Sequence, residues 1–277
     1  MSFNWRSFKS FSMMNLVRLF ALLGALPFFL ITFYVFQKGS SSLSVEFFTN
    51  VPKPPGEVGG GIANALWGTC QMVSIASLMA VPWGIVAGIY LSEFGRGKTA
   101  FFLRMAVDLL TSVPSIVVGI FVYSLLVVTV GHFSGWAGAV ALAVIMLPFI
   151  ARSSEEMFRL VPTTVREAGL ALGLPRWKVM YFIVFPTAFK GVLTSVMLAV
   201  ARVTGETAPL LFTALGNQYF NESLNEPTAS LPVQVYNFAS SGFEDLQRQA
   251  WAGALVLVLF VLTVNLATRM LLSSRTS

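Results

Sequence analysis

Cysteine, histidine and charge are all scarce in this chain, and each shortage closes off a class of function. There is one cysteine, Cys70, in 277 residues, so no intrachain disulfide can form. Cys70 lies inside an apolar run and is expected to behave as a small buried hydrophobe. The one histidine, His132, has no second metal-type residue near it and reads as a solvated loop residue; no metal or cofactor is called for. No cluster of His, Cys or Asp exists to carry out chemistry within a membrane, which argues against an enzyme. Charged residues make up 11% of the chain, against about 25% in soluble globular domains. With 56% hydrophobic residues and a mean hydropathy of +0.75, what remains is an integral membrane protein. Its apolar runs are long rather than short and alternating, so they read as helices and not as a barrel.

Two further patterns are incomplete. Gly97, Lys98 and Thr99 look like the end of a phosphate-binding loop, but the position of its first glycine holds Ser92. No strand signal precedes the motif, and Phe101 and Phe102 follow at once, so the backbone cradle that such a loop needs is missing. Arg96, Lys98 and Arg104 are better read as anchors among lipid headgroups. The first apolar run, about 17–36, has a basic head like a secretory leader. It is too long for one and no A-x-A site follows it, so it is expected to stay as an uncleaved span.

Six spans are expected, at about 17–36, 62–91, 109–130, 136–150, 187–215 and 250–267. An even number puts both termini on one side. Of the eighteen lysines and arginines, fourteen fall on that side, and only Lys38, Lys53 and Arg248 on the other, with Arg202 inside a span. Such a bias marks the cytoplasmic face. It also accounts for the sequence pI of about 9.7 without a nucleic-acid partner.

The long polar segment between two apolar blocks is 163–186. Val165, Ala168 and Leu172 recur at helical spacing, with Arg166 and Glu167 on the other side. Gly173 breaks the run, and Pro175 fits the first turn of a second short helix. Two short helices at a bend would form a knob suited to docking in a groove of a soluble partner; a generic loop between spans is the plain alternative. The stretch resembles the coupling segment of binding-protein-dependent ABC importer permeases, written E-A-A, three residues, G, nine residues, I-x-L-P. Glu167, Ala168, Gly173, Ile183 and Pro186 match in register, while Gly169 stands for the second Ala and Phe185 for Leu. Gly169 is expected to loosen the first short helix by about 1 kcal/mol.

The other informative stretch is 199–214. Arg202 lies well inside an apolar run, and Glu206 follows at i+4, which on a helix puts both on one face. A charge at mid-membrane costs about 2.5–3.5 kcal/mol on the insertion scale, so such residues face water, each other or a partner helix. Gly205 and Pro209 weaken the helix there, which is tolerated where backbone lines a cavity. Thr204, Thr207 and Thr213 add hydroxyls. A guanidinium is a planar fork of donors that suits oxyanions. The pair reads either as an anion contact or gate, or as a salt bridge clamping two helices.

Three stretches together, 201–214, the T-S-V-P-S-I-V-V-G of 111–119 and the coupling segment, resemble phosphate importer permease subunits of the PstA type. The resemblance implies an all-α membrane protein of six transmembrane helices, the type I ABC importer permease fold, with a short cytosolic coupling-helix segment. It implies a cytosolic segment at 1–16, a permease domain at 17–268 with coupling at about 152–186, and a cytosolic tail at 269–277. It implies an inner-membrane assembly with a PstC-type sister permease, two copies of a PstB-type ATPase and an extracytoplasmic PstS-type phosphate-binding protein. Glu167, Ala168, Gly169 and Gly173 would couple to the ATPase; Arg202, Glu206 and Thr207 would line the substrate pathway or gate. The rival is an ion-gradient-driven secondary anion carrier with Glu206 as proton site. Such carriers often carry internal repeats, and R-x-x-x-E does not recur as a repeat with its flanks.

Overall fold

The structure is a computed structural model and describes residues 5–57 and 59–273. The first four residues and Arg275 of the basic tail, both assigned above to the cytosol, lie outside the described residues. Every regular element among those described is helical. The principal helices are α1 (Trp5–Gly39), α2 (Ala63–Phe94), α3 (Gly97–Ser112), α4 (Ser115–Val130), α5 (Gly135–Arg159), α6 (Thr163–Ala171), α7 (Arg176–Thr204), α8 (Ala208–Thr213), α9 (Leu231–Ala239) and α10 (Glu244–Ser273). Five helices are long and apolar enough to cross a membrane, and the bent pair α3–α4 makes a sixth span if counted as one.

The centre of the bundle is α2 against α5, closed by α7. Small residues explain that contact. Met72, Ala76, Ala80, Gly84 and Gly88 recur every four residues along α2 and are all buried. A Cβ on Gly84 would stand 2.8 Å from Ile150 Cβ, and one on Gly88 2.6 Å from Ser154 Cβ. In lipid, apolar burial does not drive helices together, so close backbone approach over small residues does. Pro82 sits inside α2 without splitting it.

The third span is not the straight helix expected at 109–130. It is bent by 100° between α3 and α4. Pro114 forces Val113 to an extended conformation (φ −67°, ψ 129°), which ends α3. Arg104 on α3 does not reach for headgroups either. Its Nε donates to Glu155 Oε1 at 2.7 Å, and Nη2 to the carbonyls of Leu91 (2.5 Å) and Gly95 (3.4 Å). Glu155 is 1% exposed and also meets Arg159 at 2.7 Å. Thus α3, the end of α2 and the end of α5 are fastened at one end of the bundle.

Cys70 is exposed rather than buried. It lies on the face of α2 turned away from α5, beside an apolar cavity of about 240 Å³ that α7 and α10 also line. His132 is exposed, as a loop residue should be. At the opposite end of the bundle, α9 is tied to the start of α2: Leu231 N donates to Thr69 Oγ1 (2.8 Å) and Gln234 Nε2 to the Gly61 carbonyl (3.1 Å).

Candidate functional site

The fifth span is broken. α7 stops at Thr204, residues 205–207 are non-helical, and α8 resumes at Ala208. The residues explain the break. Gly205 ends α7 with its N–H on the Arg202 carbonyl (3.2 Å), and Glu206 N–H takes the Val203 carbonyl (3.2 Å). Pro209 in the first turn of α8 has no N–H to satisfy. With the Thr207 carbonyl accepting from Leu211 N–H (3.2 Å), three backbone groups of the break are paired within the span itself. Beyond α8, Leu215 takes a left-handed conformation (φ 61°) and Gly216 follows at φ 116°, which turns the chain back. The T-S-V-P-S-I-V-V-G stretch reaches the break from the other side: a Cβ on its Gly119 would stand 2.6 Å from Pro209 Cα.

Glu206 is therefore off the helix that carries Arg202, yet the two still pair: Arg202 Nε and Glu206 Oε1 are 3.8 Å apart, an ion pair too long for a hydrogen bond, with side chains 48% and 17% exposed. The Arg202 guanidinium lies over the Phe149 ring, 5.7 Å from its centroid. Phe149 is about 21 Å along α5 from its start and about 15 Å from its end at 1.5 Å per residue, so the cation is near mid-depth. Among the described residues Arg202 has no hydrogen-bond partner. Thr207 lies in the break and is half-buried, while Thr204 and Thr213 spend their hydroxyls on the carbonyls of Val200 and Pro209.

The 163–186 segment holds the two short helical stretches expected, α6 and Arg176–Val179, but the second runs on without a break into the rest of α7. Pro175 caps Arg176–Val179, and a wide five-residue turn, Met180–Val184, carries the chain into the rest of α7. Gly173 closes α6 at φ 78°, with Leu174 N–H on the Gly169 carbonyl (3.3 Å) and Gly173 N–H on Leu170 (2.9 Å). Of the apolar residues at helical spacing, Val165 packs against the apolar cluster at the end of α5 and the start of α7, whereas Ala168 and Leu172 are exposed with Glu167; Arg166 and Gly169 share the inner side with Val165. Gly169 has a reason for being glycine. A Cβ there would stand 2.7 Å from Ile183 Cδ1 and 3.1 Å from Val179 Cγ2, so α6 rests directly on the wide turn.

Arg166 is the residue that sequence reasoning misplaced. Its Nη2 is 2.7 Å from Glu93 Oε1 and its Nε donates to the same oxygen at 2.8 Å. It also donates to the carbonyls of Val161 and Phe158, the latter at 2.6 Å. Glu93, Glu155 and Arg104 were equally out of reach, since nothing local in the sequence links residues 50 to 75 positions apart.

Residues 80–275 match the family described as the inner membrane component of binding-protein-dependent transport systems. The chain belongs to this family. It is thus a multi-pass inner-membrane transport subunit of an ABC importer assembly, not an enzyme. It is 45% identical over 269 residues to a Haemophilus influenzae protein described as phosphate transport system permease protein PstA, covering 97% of this chain and 95% of that one. A Yersinia pestis protein of the same description is 42% identical over 272 residues, 98% of this chain and 92% of that one. The fold is similar to a chain of a bacterial alginate ABC transporter (TM-score 0.68, 11% identity, 96% of this chain and 95% of that one). It is also similar to one of the MetNI methionine ABC transporter (TM-score 0.67, 20% identity, 78% and 96%). These last two likenesses concern the fold alone.

Proposed function

We infer that this permease subunit passes inorganic phosphate inward across the cytoplasmic membrane, driven by ATP hydrolysed on a separate chain. The observation that carries the reading is Arg202. A half-exposed guanidinium near mid-depth, with no hydrogen-bond partner among the described residues, beside a break in the span, has donors to offer an oxyanion. Its ion pair with Glu206, at 3.8 Å, is too long for a hydrogen bond and so leaves the guanidinium donors available. Phe149 beneath the guanidinium holds it by its ring face without consuming any donor. Glu206, with Thr207, borders the same spot; its charge opposes a second anion and keeps the first from being trapped.

The 42–45% identity to phosphate transport permeases across nearly the whole chain supports phosphate as the cargo. It also supports a sister permease, a pair of ATPase subunits and an extracytoplasmic phosphate-binding protein as partners. The end of the bundle with α6 and the Arg104–Glu155 contacts carries the excess of basic residues, which supports placing it, and both termini, in the cytosol. Glu167, Ala168, Gly169 and Gly173 then belong to the segment that meets the ATPase. Phosphate uptake into vesicles tests the reading: it should stop on ATP depletion with the ion gradients clamped. Uptake that persists would point to a secondary carrier with Glu206 as its proton site.

A further inference from the structure

We propose that Arg166 is a positioning residue for coupling: it is the side chain through which a displacement of α6 reaches α2 and α5. The proposal rests on the coupling role given above to the 163–186 segment. Apart from Arg166, α6 holds to the bundle by two apolar contacts: Val165 is half-buried against the cluster that contains Phe158, Val161 and Val179, and Gly169 rests on the wide turn at the start of α7, while Glu167, Ala168, Leu170 and Leu172 are exposed. Against that, one guanidinium on the inner side of α6 binds three separate places at once. It grips Glu93 in the last turn of α2 through two nitrogens, and it takes the Phe158 and Val161 carbonyls at the end of α5.

The chemistry suits a transmitter. The ion pair joins residues 73 positions apart and both side chains are largely shielded, at 18% and 17% exposed. Carbonyls at a helix end have no partner within the helix, so an outside donor there is part of how α5 terminates. Arginine fits because its planar fork serves several acceptors in fixed directions, which a lysine ammonium does not. The end of α2 is in turn held to α5 by Arg104, which takes the Leu91 carbonyl and Glu155. Moving α6 therefore moves the ends of α2 and α5 as one piece, and α2 and α5 form the centre of the bundle.

The test uses the assembled complex with its ATPase partner in proteoliposomes, reading phosphate taken up per ATP hydrolysed. Arg166→Gln and Glu93→Gln should leave the ATPase bound but lower that ratio about tenfold, within the range of ordinary coupling energies. Arg166→Lys keeps the charge opposite Glu93 but loses the carbonyl contacts, and should fall between. A control variant, Ala168→Asp, alters only the exposed side of α6 and should release the ATPase. If that control changes neither ATPase recovery nor uptake, the segment is not the docking site and the underlying reading fails. If the control releases the ATPase but all three clamp variants keep the wild-type ratio, the proposal fails alone. Loss of assembly in all three also overturns it, because the cluster would then serve the fold rather than coupling.

Discussion

Arg202 and Arg166 are held in opposite ways, although each lies near a glutamate on the surface of the same bundle. Arg166 meets a carboxylate 73 residues away at 2.7 Å and spends its remaining donors on two carbonyls. Arg202 stands four residues from Glu206, yet the pair is 3.8 Å apart and the guanidinium is half exposed over an aromatic ring. Sequence proximity would have ranked them the other way. A fully engaged arginine transmits position, because its partners must follow it. An arginine held on one face only keeps its donors for something that arrives. The Arg104–Glu155 contact, at 2.7 Å with the carboxylate 1% exposed, belongs with the first kind.

The sharpest way to break this contrast is to neutralise the loose arginine. Arg202→Gln should bring phosphate uptake to background while the subunits still co-purify, since no hydrogen bond of the fold is lost. Exchanging the two charges, Arg202→Glu with Glu206→Arg, should stay inactive as well. The exchanged guanidinium sits off the helix and away from Phe149, and hydrogen bonding tolerates only about 3 Å between heavy atoms. Recovery of uptake in the exchanged protein would show that Arg202 is a clamp like Arg166.

The tight kind should answer in stability instead. Removing the buried carboxylate with Glu155→Ala leaves Arg104, Arg152 and Arg159 without their shared partner. Breaking a buried pair costs about 3–5 kcal/mol, and here about 2 kcal/mol is expected because Arg152 and Arg159 reach solvent. Thermal unfolding in detergent checks this, and an unchanged midpoint would remove Glu155 from the fastening cluster.

Smaller effects come from the glycines of the docking segment, and they separate contact from conformation. Gly169→Leu must push Ile183 or Val179 aside and shift α6, so ATPase recovery should drop several-fold. Gly169→Ala should be near neutral, with the helix propensity gain of about 1 kcal/mol set against two tight contacts, both with the ends of side chains. Gly173→Leu should matter less than its place in the motif implies. Nothing lies within 4 Å of a Cβ there, so no clash arises, and the φ of 78° imposes about 1–2 kcal/mol of strain. Uptake within about twofold of wild type is expected, and total loss would mean that the partner, not the turn, needs the glycine.

The class of the fold was legible because long apolar runs have few solutions in lipid, and the position of the docking segment because a polar stretch between two spans has few places to go. What stayed hidden was direction. Val165, Ala168 and Leu172 at helical spacing did not tell which of them packs inward: only Val165 does, and Arg166 lies beside it while Ala168 and Leu172 are exposed. The break at 205–207 was half visible: Gly205 and Pro209 announced weakness, but the i+4 count assumed the helix ran through it. The α2–α5 contact left a readable trace, small residues every fourth position from Ala76 to Gly88, that hydropathy alone passes over because these positions carry little side chain.

Because α7 begins in the docking segment and ends at the break, a single rod of about 43 Å, at 1.5 Å per residue, carries Trp177 at one tip and Arg202 near the other. One end is met where Gly169 lets α6 rest on the wide turn; at the other, Ala199, Val203 and Thr204 are buried in the bundle although the helix itself stops at Thr204. Such a rod behaves as a lever. A tilt of about 5° imposed at the docking tip sweeps the far tip through about 4 Å. That distance is larger than the about 3 Å span of a hydrogen bond, so if Arg202 is the anion contact proposed above, such a tilt would suffice to break the contact. The interruption of the span is what puts Arg202 near the tip of this rod, where a tilt moves it most, rather than in the middle of a longer helix.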